Sequence, residues 1–356
     1  MPTTVLFDKA ELTQHKQLHE EWPPLGEGEV RLRVESFSVT ANNVTYALFG
    51  DGFGYWNFFP GQGGHGVVPM WGHAVVEESQ HPDIAVGERV YGYLPMGSHL
   101  DVLPADISAG GFTDAAAHRQ PMSPIYNRYS RISADPEHQP DKEAERMIFG
   151  PLFKTGFLIE AMFRREAWYG AQNLIVTSAS SKTAMATIHC TRISSPHIHR
   201  VGLTSTGNVD FVRSTGLYDE VLSYDDVGNL PQAPSVSVDF AGNSALLYGI
   251  HSTLGDQLKY SCTVGATHVG HSQGTGDLPG PAPILFFAPD HAVATIKELG
   301  PQAFGEAVAR SWTSFLNAVA GSVQVDERAG LDAAADAFVQ TLAGKADPAV
   351  GIIIRP

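Results

Sequence analysis

The chain has 356 residues and a formal net charge of −15, from 23 Lys plus Arg against 38 Asp plus Glu. That excess of acid argues against nucleic acid or an anionic membrane as partner, and 43% hydrophobic with 17% charged residues excludes a disordered chain. With only two cysteines, Cys190 and Cys262, no signal-peptide pattern and no apolar run of about eighteen residues, the chain is expected to be cytoplasmic, without a disulfide framework or a membrane span.

The length suggests about two domains. The first hundred residues read as β-rich. Residues 29–35 alternate apolar and polar, as a half-buried strand does, and 74–77 and 89–94 are further short strands. Between them lies an aromatic, glycine-rich segment, 51–60, expected as a packed loop or a pocket wall. From 115 to 145 the periodicity is lost, and the segment reads as a long connection holding Tyr126, Tyr129 and Arg131. A helix is expected over 152–165. Strands near 173–177, 200–204, 220–223, 235–240 and 260–264 then alternate with helices near 182–191, 209–215 and 243–254. That series implies a parallel, doubly wound sheet whose ligands bind outside the carboxyl ends of its strands. Two amphipathic helices, 304–319 and 330–342, precede a terminal strand, 350–354, for which the N-terminal β region is the natural host.

The segment 173–190 reads strand, small-residue loop, helix. A pyrophosphate needs free backbone N–H groups, the positive end of a helix and small residues that let the backbone approach. Ser178, Ala179, Ser180 and Ser181 supply smallness and hydroxyls, Lys182 a cation and Thr183 a further hydroxyl. The glycines usual in such a loop are absent, so a plain strand–turn–helix competes with this reading. The second strand ends in Thr204, Ser205, Thr206, Gly207 and Asn208, with no acid before Asp210 to hold a ribose 2′-hydroxyl. Hydroxyls, an amide and Arg213 suit a 2′-phosphate instead, which favours NADP(H) over NAD.

With these segments the chain resembles the medium-chain dehydrogenase/reductase superfamily, on its zinc-free quinone and enoyl reductase side. The resemblance spans most of the chain and lies in the order and spacing of 26–50, 85–95, 151–163, 216–226 and 238–243. It implies an α/β protein with a GroES-like β-barrel catalytic domain, 1–150 and 291–356, and an inserted Rossmann domain, 151–290. It further implies NADP(H), a small-molecule substrate and a homodimer. The loop departs from the family in carrying Lys182 and Ala184 where glycines normally stand. The zinc-dependent branch needs an early cysteine and a Gly-His-Glu motif. Here Gly72-His73-Ala74 lacks the glutamate, no cysteine precedes Cys190, and the 15 histidines show no two at clear ligand spacing beside an acid, so no metal is expected.

Hydride transfer without a metal needs a neutral donor for the developing oxyanion, and a phenol suits that role. The resemblance places Tyr46 at the active-site strand–helix junction, with Asn42 and Asn43 beside it. Tyr55 lies in the aromatic loop, and Tyr126 in the connection is positioned to close over the substrate. Thr155 falls where the family approaches the nicotinamide ribose or the substrate. Gly242 and Asn243 follow the fourth strand of the cofactor domain. Val264 and Gly265 follow the fifth, His268 comes next, and Phe287 falls in the segment that passes the nicotinamide. The expected activity is an NADPH-dependent reduction of an activated double bond in an enone, quinone or enoyl thioester. A zinc-free carbonyl reductase or alcohol dehydrogenase, and a non-redox nucleotide-binding relative, are the alternatives.

Overall fold

A computed structural model describes residues 1–264 and 278–356. The chain divides into two units, Met1–Ile148 with Gln324–Pro356, and Phe149–Val323.

The first unit is built on β1 (Thr3–Asp8), β2 (His15–His19), β3 (Val30–Val39), β4 (His65–Gly66), β5 (Pro69–Ser79), β6 (Arg89–Pro95), β7 (His99–Val102), β8 (Pro104–Ser108), β9 (Gly111–Asp114) and β10 (Arg128–Arg131). The expected alternation holds over Leu32–Glu35 but not at Arg31, which is buried, and the register of β3 with β5 shifts at two places. Helix α1 (Ala41–Leu48) follows β3 directly. Helix α2 (Glu143–Arg165) contains the division between the units, just ahead of Pro151. The connection over 115–145 is short turns around β10, which pairs with β6 and β9.

The second unit holds β11 (Asn173–Val176), β12 (His199–Thr204), β13 (Glu220–Ser223), β14 (Ser235–Asp239), β15 (Leu258–Val264) and β16 (Ile284–Phe286). They form one sheet in the order β13-β12-β11-β14-β15-β16, all parallel. Counted within the unit this is the order 3-2-1-4-5-6 of a dinucleotide-binding sheet, with the switch point between β11 and β14. Its helices are α3 (Lys182–Ser194), α4 (Val209–Ser214), α5 (Ser244–Leu254), α6 (Ala288–Leu299) and α7 (Pro301–Ala318). The strands at the centre, β11 and β14, are buried throughout, as a sheet covered on both faces requires.

The chain then returns to the first unit through β17 (Gln324–Ala329), α8 (Leu331–Leu342) and β18 (Val350–Arg355). The terminal strand pairs antiparallel with β3, Ile352 opposite Val39 and Ile354 opposite Phe37. Phe338 of α8 packs on Phe7 of β1, with ring centroids 4.6 Å apart. Residues 291–323 belong to the second unit, not to the barrel where the sequence reading put them. The reason is aromatic packing: Trp312 and Phe315 of α7 lie 5.2 and 5.3 Å from the ring of Phe153 on α2, and Ser314 bonds His189 on α3. Among the described residues no helix is long and apolar enough to cross a membrane. Cys190 and Cys262 are buried and free.

Candidate active site

In the second unit the loop after β11 rests against β12. A Cβ on Gly202 would meet the Tyr218 ring at 2.7 Å and the Ala179 side chain at 2.9 Å, so only glycine lets the loop lie there. Gly156 plays the same part between α2 and α3, where a Cβ would stand 2.6 Å from the Thr187 nitrogen. Ser178 has φ +45, the left-handed region that glycine serves in other loops of this kind. The loop keeps the glycine-like turn without the glycine. Its hydroxyl partner is Tyr224, whose phenol oxygen accepts from the Ser178 N–H at 3.2 Å and lies 3.3 Å from the Ser178 hydroxyl.

The remaining loop residues are ordered by short-range bonds. Ala179 donates its N–H to Leu203 and accepts from the Tyr218 hydroxyl at 2.7 Å. The Ser180 hydroxyl accepts from Asn208 at 3.2 Å, which joins the first loop to the end of the second strand. Ser181 caps α3, accepting from the Ala184 N–H. Lys182 and Thr183 occupy the first turn of that helix, at the positive end of its dipole. At the carboxyl end of β12, the buried Thr204 hydroxyl has no partner among the described residues. Ser205 is exposed beside it.

The switch point itself is held by one hydroxyl. Thr177 donates to Asp239 at 2.6 Å and accepts from the N–H groups of Phe240 and Ala241 at 2.8 and 3.0 Å. It thereby fixes the carboxyl ends of β11 and β14 relative to each other. Gly242 has φ +65 in the following turn, and Asn243 caps α5 by accepting from Ala245 and Leu246. The Asn243 side chain is thus committed to the helix. Thr155 donates back to Pro151 within α2. Val264 ends β15, while Gly265 and His268 lie outside the described residues. Phe287 is exposed at the start of α6.

In the first unit, Tyr46 of α1 belongs to an aromatic cluster. Its ring lies 4.7 Å from Tyr55, 5.3 Å from Tyr93 and 6.2 Å from Tyr126. Trp71 donates to the Tyr46 oxygen at 3.0 Å and Asn42 does so at 2.5 Å, which leaves the phenol proton to be donated onward. Burial, with the neighbouring Tyr55, pushes the Tyr46 hydroxyl far above the ordinary phenol range, so it stays protonated. The hydroxyls of Tyr55 and Tyr126 stand 3.3 Å apart. Asn43 does not join this cluster. It is buried, accepts from the Thr40 N–H at 2.6 Å and donates to the Pro69 carbonyl at 2.9 Å. Those bonds cap α1 and tie it to β5, so its amide is spent on the fold and not on a substrate.

Arg119, which the sequence reading did not select, anchors the cluster. It is fully buried and donates to Asp114, Asn127, the Tyr129 hydroxyl and the Tyr126 carbonyl at 2.8–3.1 Å. Its guanidinium also lies 5.4 Å from the Phe58 ring and 5.2 Å from Phe59. Tyr224 and Asp225 were likewise missed. Asp225 accepts from Thr206 at 3.2 Å and so brings an acid to the end of the second strand, where the sequence shows none before Asp210.

Residues 37–347 match the model of a family described as a protein of unknown function, DUF2855. The chain belongs to the DUF2855 family. No curated protein matches this DUF2855 chain in sequence. Solved structures do match it in fold. CurA from Vibrio vulnificus, in complex with NADPH, is 13% identical with TM-score 0.62, covering 99% of this chain and 98% of its own. The yhdH oxidoreductase from Salmonella enterica, in complex with NADP, is 13% identical with TM-score 0.55 and 99% of each chain covered. CurK enoyl reductase is 12% identical with TM-score 0.54, again covering 99% of each chain. The DUF2855 chain therefore has the medium-chain dehydrogenase/reductase fold, a barrel-like unit and a Rossmann unit, as the resemblance implied.

Proposed function

We propose that this protein is an NADPH-dependent reductase of an activated carbon–carbon double bond in an enone, quinone or enoyl thioester. The observation that carries the reading is the anion cradle at the switch point of the second unit. A left-handed Ser178, small residues through Ser181 and the N-terminus of α3 stand together at the carboxyl end of β11. That arrangement fits a pyrophosphate. The unpartnered Thr204 hydroxyl is a further buried group that a dinucleotide could satisfy. CurA and yhdH, crystallised with NADPH and NADP, support the choice of cofactor.

In this reading Ser180, Ser181, Lys182 and Thr183 hold the pyrophosphate, and Ser205 with Asn208 faces the adenosine ribose. Gly242 and Val264 leave room along the strand ends. When bound, NADPH supplies a hydride. Tyr46 donates its phenol proton in a hydrogen bond to the substrate oxygen that gains negative charge, with Trp71 and Asn42 fixing the phenol and Tyr126 bounding the aromatic wall. No step draws on a metal. The reading includes a homodimer, supported by the exposed Ile284 and Leu285 on the outermost strand of the sheet; light scattering of the purified chain tests it.

Titration with NADPH and NADH, followed by nicotinamide fluorescence, tests the cofactor, and a panel of enones, quinones and aldehydes tests the reaction. NADPH is expected to bind and to be oxidised by enones or quinones. Tyr46→Phe is expected to lower kcat about 10–100-fold with little change in NADPH affinity. Absence of binding up to millimolar concentrations overturns the redox reading and leaves the non-redox one, which the use of the Ser178 N–H by Tyr224 favours.

Asp225 makes a separate prediction. In this reading the Asp225 carboxylate, which accepts from Thr206, would lie close to a 2′-phosphate. Removing an exposed like charge is worth on the order of 1 kcal/mol, so Asp225→Asn should tighten NADPH binding about fivefold at low salt and leave NADH nearly unchanged. Equal effects on both cofactors would detach Asp225 from 2′-phosphate recognition.

A further inference from the structure

The buried polar groups of the first unit contain one cluster that the reductase reading does not use. His73 on β5 is fully buried, and among the described residues neither of its ring nitrogens has a hydrogen-bond partner. The Nδ1 of His138 is also buried and unpartnered. Burying an imidazole nitrogen without a partner costs free energy, so two such rings side by side call for something between them. Their ring centroids are 6.4 Å apart. Glu143, at the start of α2, completes the group. One ligand atom from each of His73, His138 and Glu143 lies within 4.8 Å of the other two. The Nε2 of His138 is 3.8 Å from a Glu143 oxygen. Ligand atoms about 2.1 Å from a tetrahedral ion are about 3.4 Å apart, so small side-chain rotations would close the triad.

Charge around the triad also suits a cation. Arg89 and Arg146 act on His73 through space. Arg89 carries Glu35 and Glu143 at 2.7 Å, and Arg146 carries Asp135 at 2.8 Å and Glu137 at 3.5 Å. Four carboxylates against two guanidiniums leave a surplus of two negative charges. Arg355 is also close, and its bond to Glu327 makes it a neutral pair. Each oxygen that Glu143 offers to Arg89 keeps a second lone pair for an ion.

We propose that His73, His138 and Glu143 bind one divalent transition-metal ion of the zinc class. Two imidazoles and a carboxylate are borderline ligands that zinc and cobalt accept, and three protein ligands leave a position for water. The ion would pin β5 to the 135–143 stretch that leads into α2. The cluster was not legible as a motif because His73 and His138 are 65 positions apart, and only His138 and Glu143 are near in sequence.

The test uses the full chain, stripped with a chelator and titrated with Co²⁺ and then Zn²⁺. One Co²⁺ per chain with visible d–d absorption is expected, displaced by Zn²⁺, together with a rise in unfolding temperature. His138→Ala and Glu143→Gln should each weaken Co²⁺ binding at least tenfold. Glu143→Gln keeps the side chain's size should His138→Ala fold poorly. His199→Ala, an exposed histidine paired with Asp219 and Glu220, should bind as the wild type does. No stoichiometric uptake, or uptake unchanged in both His138→Ala and Glu143→Gln, overturns the assignment. Neither result bears on NADPH binding.

Discussion

Substituting Arg119 with methionine is expected to cost about 3–5 kcal/mol, the penalty for removing one partner of a buried ion pair. The guanidinium is fully buried against Asp114, and it serves Asn127, Tyr129 and the Tyr126 carbonyl at the same time. Methionine fills much of the volume but leaves the Asp114 oxygen and the Tyr126 carbonyl without their donor. For a unit of this size the loss corresponds to a fall in unfolding temperature on the order of 10 °C, read by scanning calorimetry. Arg119→Lys should recover only part of it, because an ammonium cannot reproduce a fork that reaches four acceptors. Since the Tyr126 backbone and the Phe58 ring both rest on Arg119, the aromatic cluster should loosen as well, visible as a changed near-ultraviolet circular dichroism signal. An Arg119→Met protein as stable as the wild type would show that the bonds around this side chain contribute little.

Thr177→Val is the second large effect. Valine matches threonine in shape but removes the hydroxyl that accepts from two backbone N–H groups and donates to Asp239. The Phe240 N–H would lose the partner seen here, and the buried Asp239 would lose a donor. At about 1–3 kcal/mol for a buried group left unpaired, the expected destabilisation is roughly 2–4 kcal/mol. Because the bond spans the switch point, NADPH affinity should fall with it, by about tenfold. Thr177→Ser keeps the hydroxyl and should retain most of both. A Thr177→Val protein with unchanged stability and affinity would remove the switch-point role.

Much of the fold was legible because it is written in local periodicity. The βα alternation after residue 170 and the terminal strand 350–354 follow from apolar runs and turn residues. Contacts made across long separations were not legible. Arg119 sits in the stretch 115–145 that reads as a connection, and its burial depends on the distant Phe58 ring as well as on the chain folding back to bring Asp114 and Tyr129 onto it. Tyr224 reaches Ser178 across 46 positions, and Asp225 reaches Thr206 across 19. The left-handed turn at Ser178 was hidden because the residue that normally signals such a turn, glycine, is absent. The placement of 291–323 was missed for a similar reason. An amphipathic helix shows that it has an apolar face, and only the ring of Phe153 shows what that face meets.

The pairing of β18 with β3 also has a consequence for synthesis. Residues 149–323 are made before Val350–Arg355, so the Rossmann unit can begin to fold while the other unit still lacks this strand. Until then the edge of β3 at Phe37 and Val39 is bare, a template for the wrong strand. A chain truncated after residue 345 should therefore aggregate more readily than the 356-residue chain, as read by light scattering.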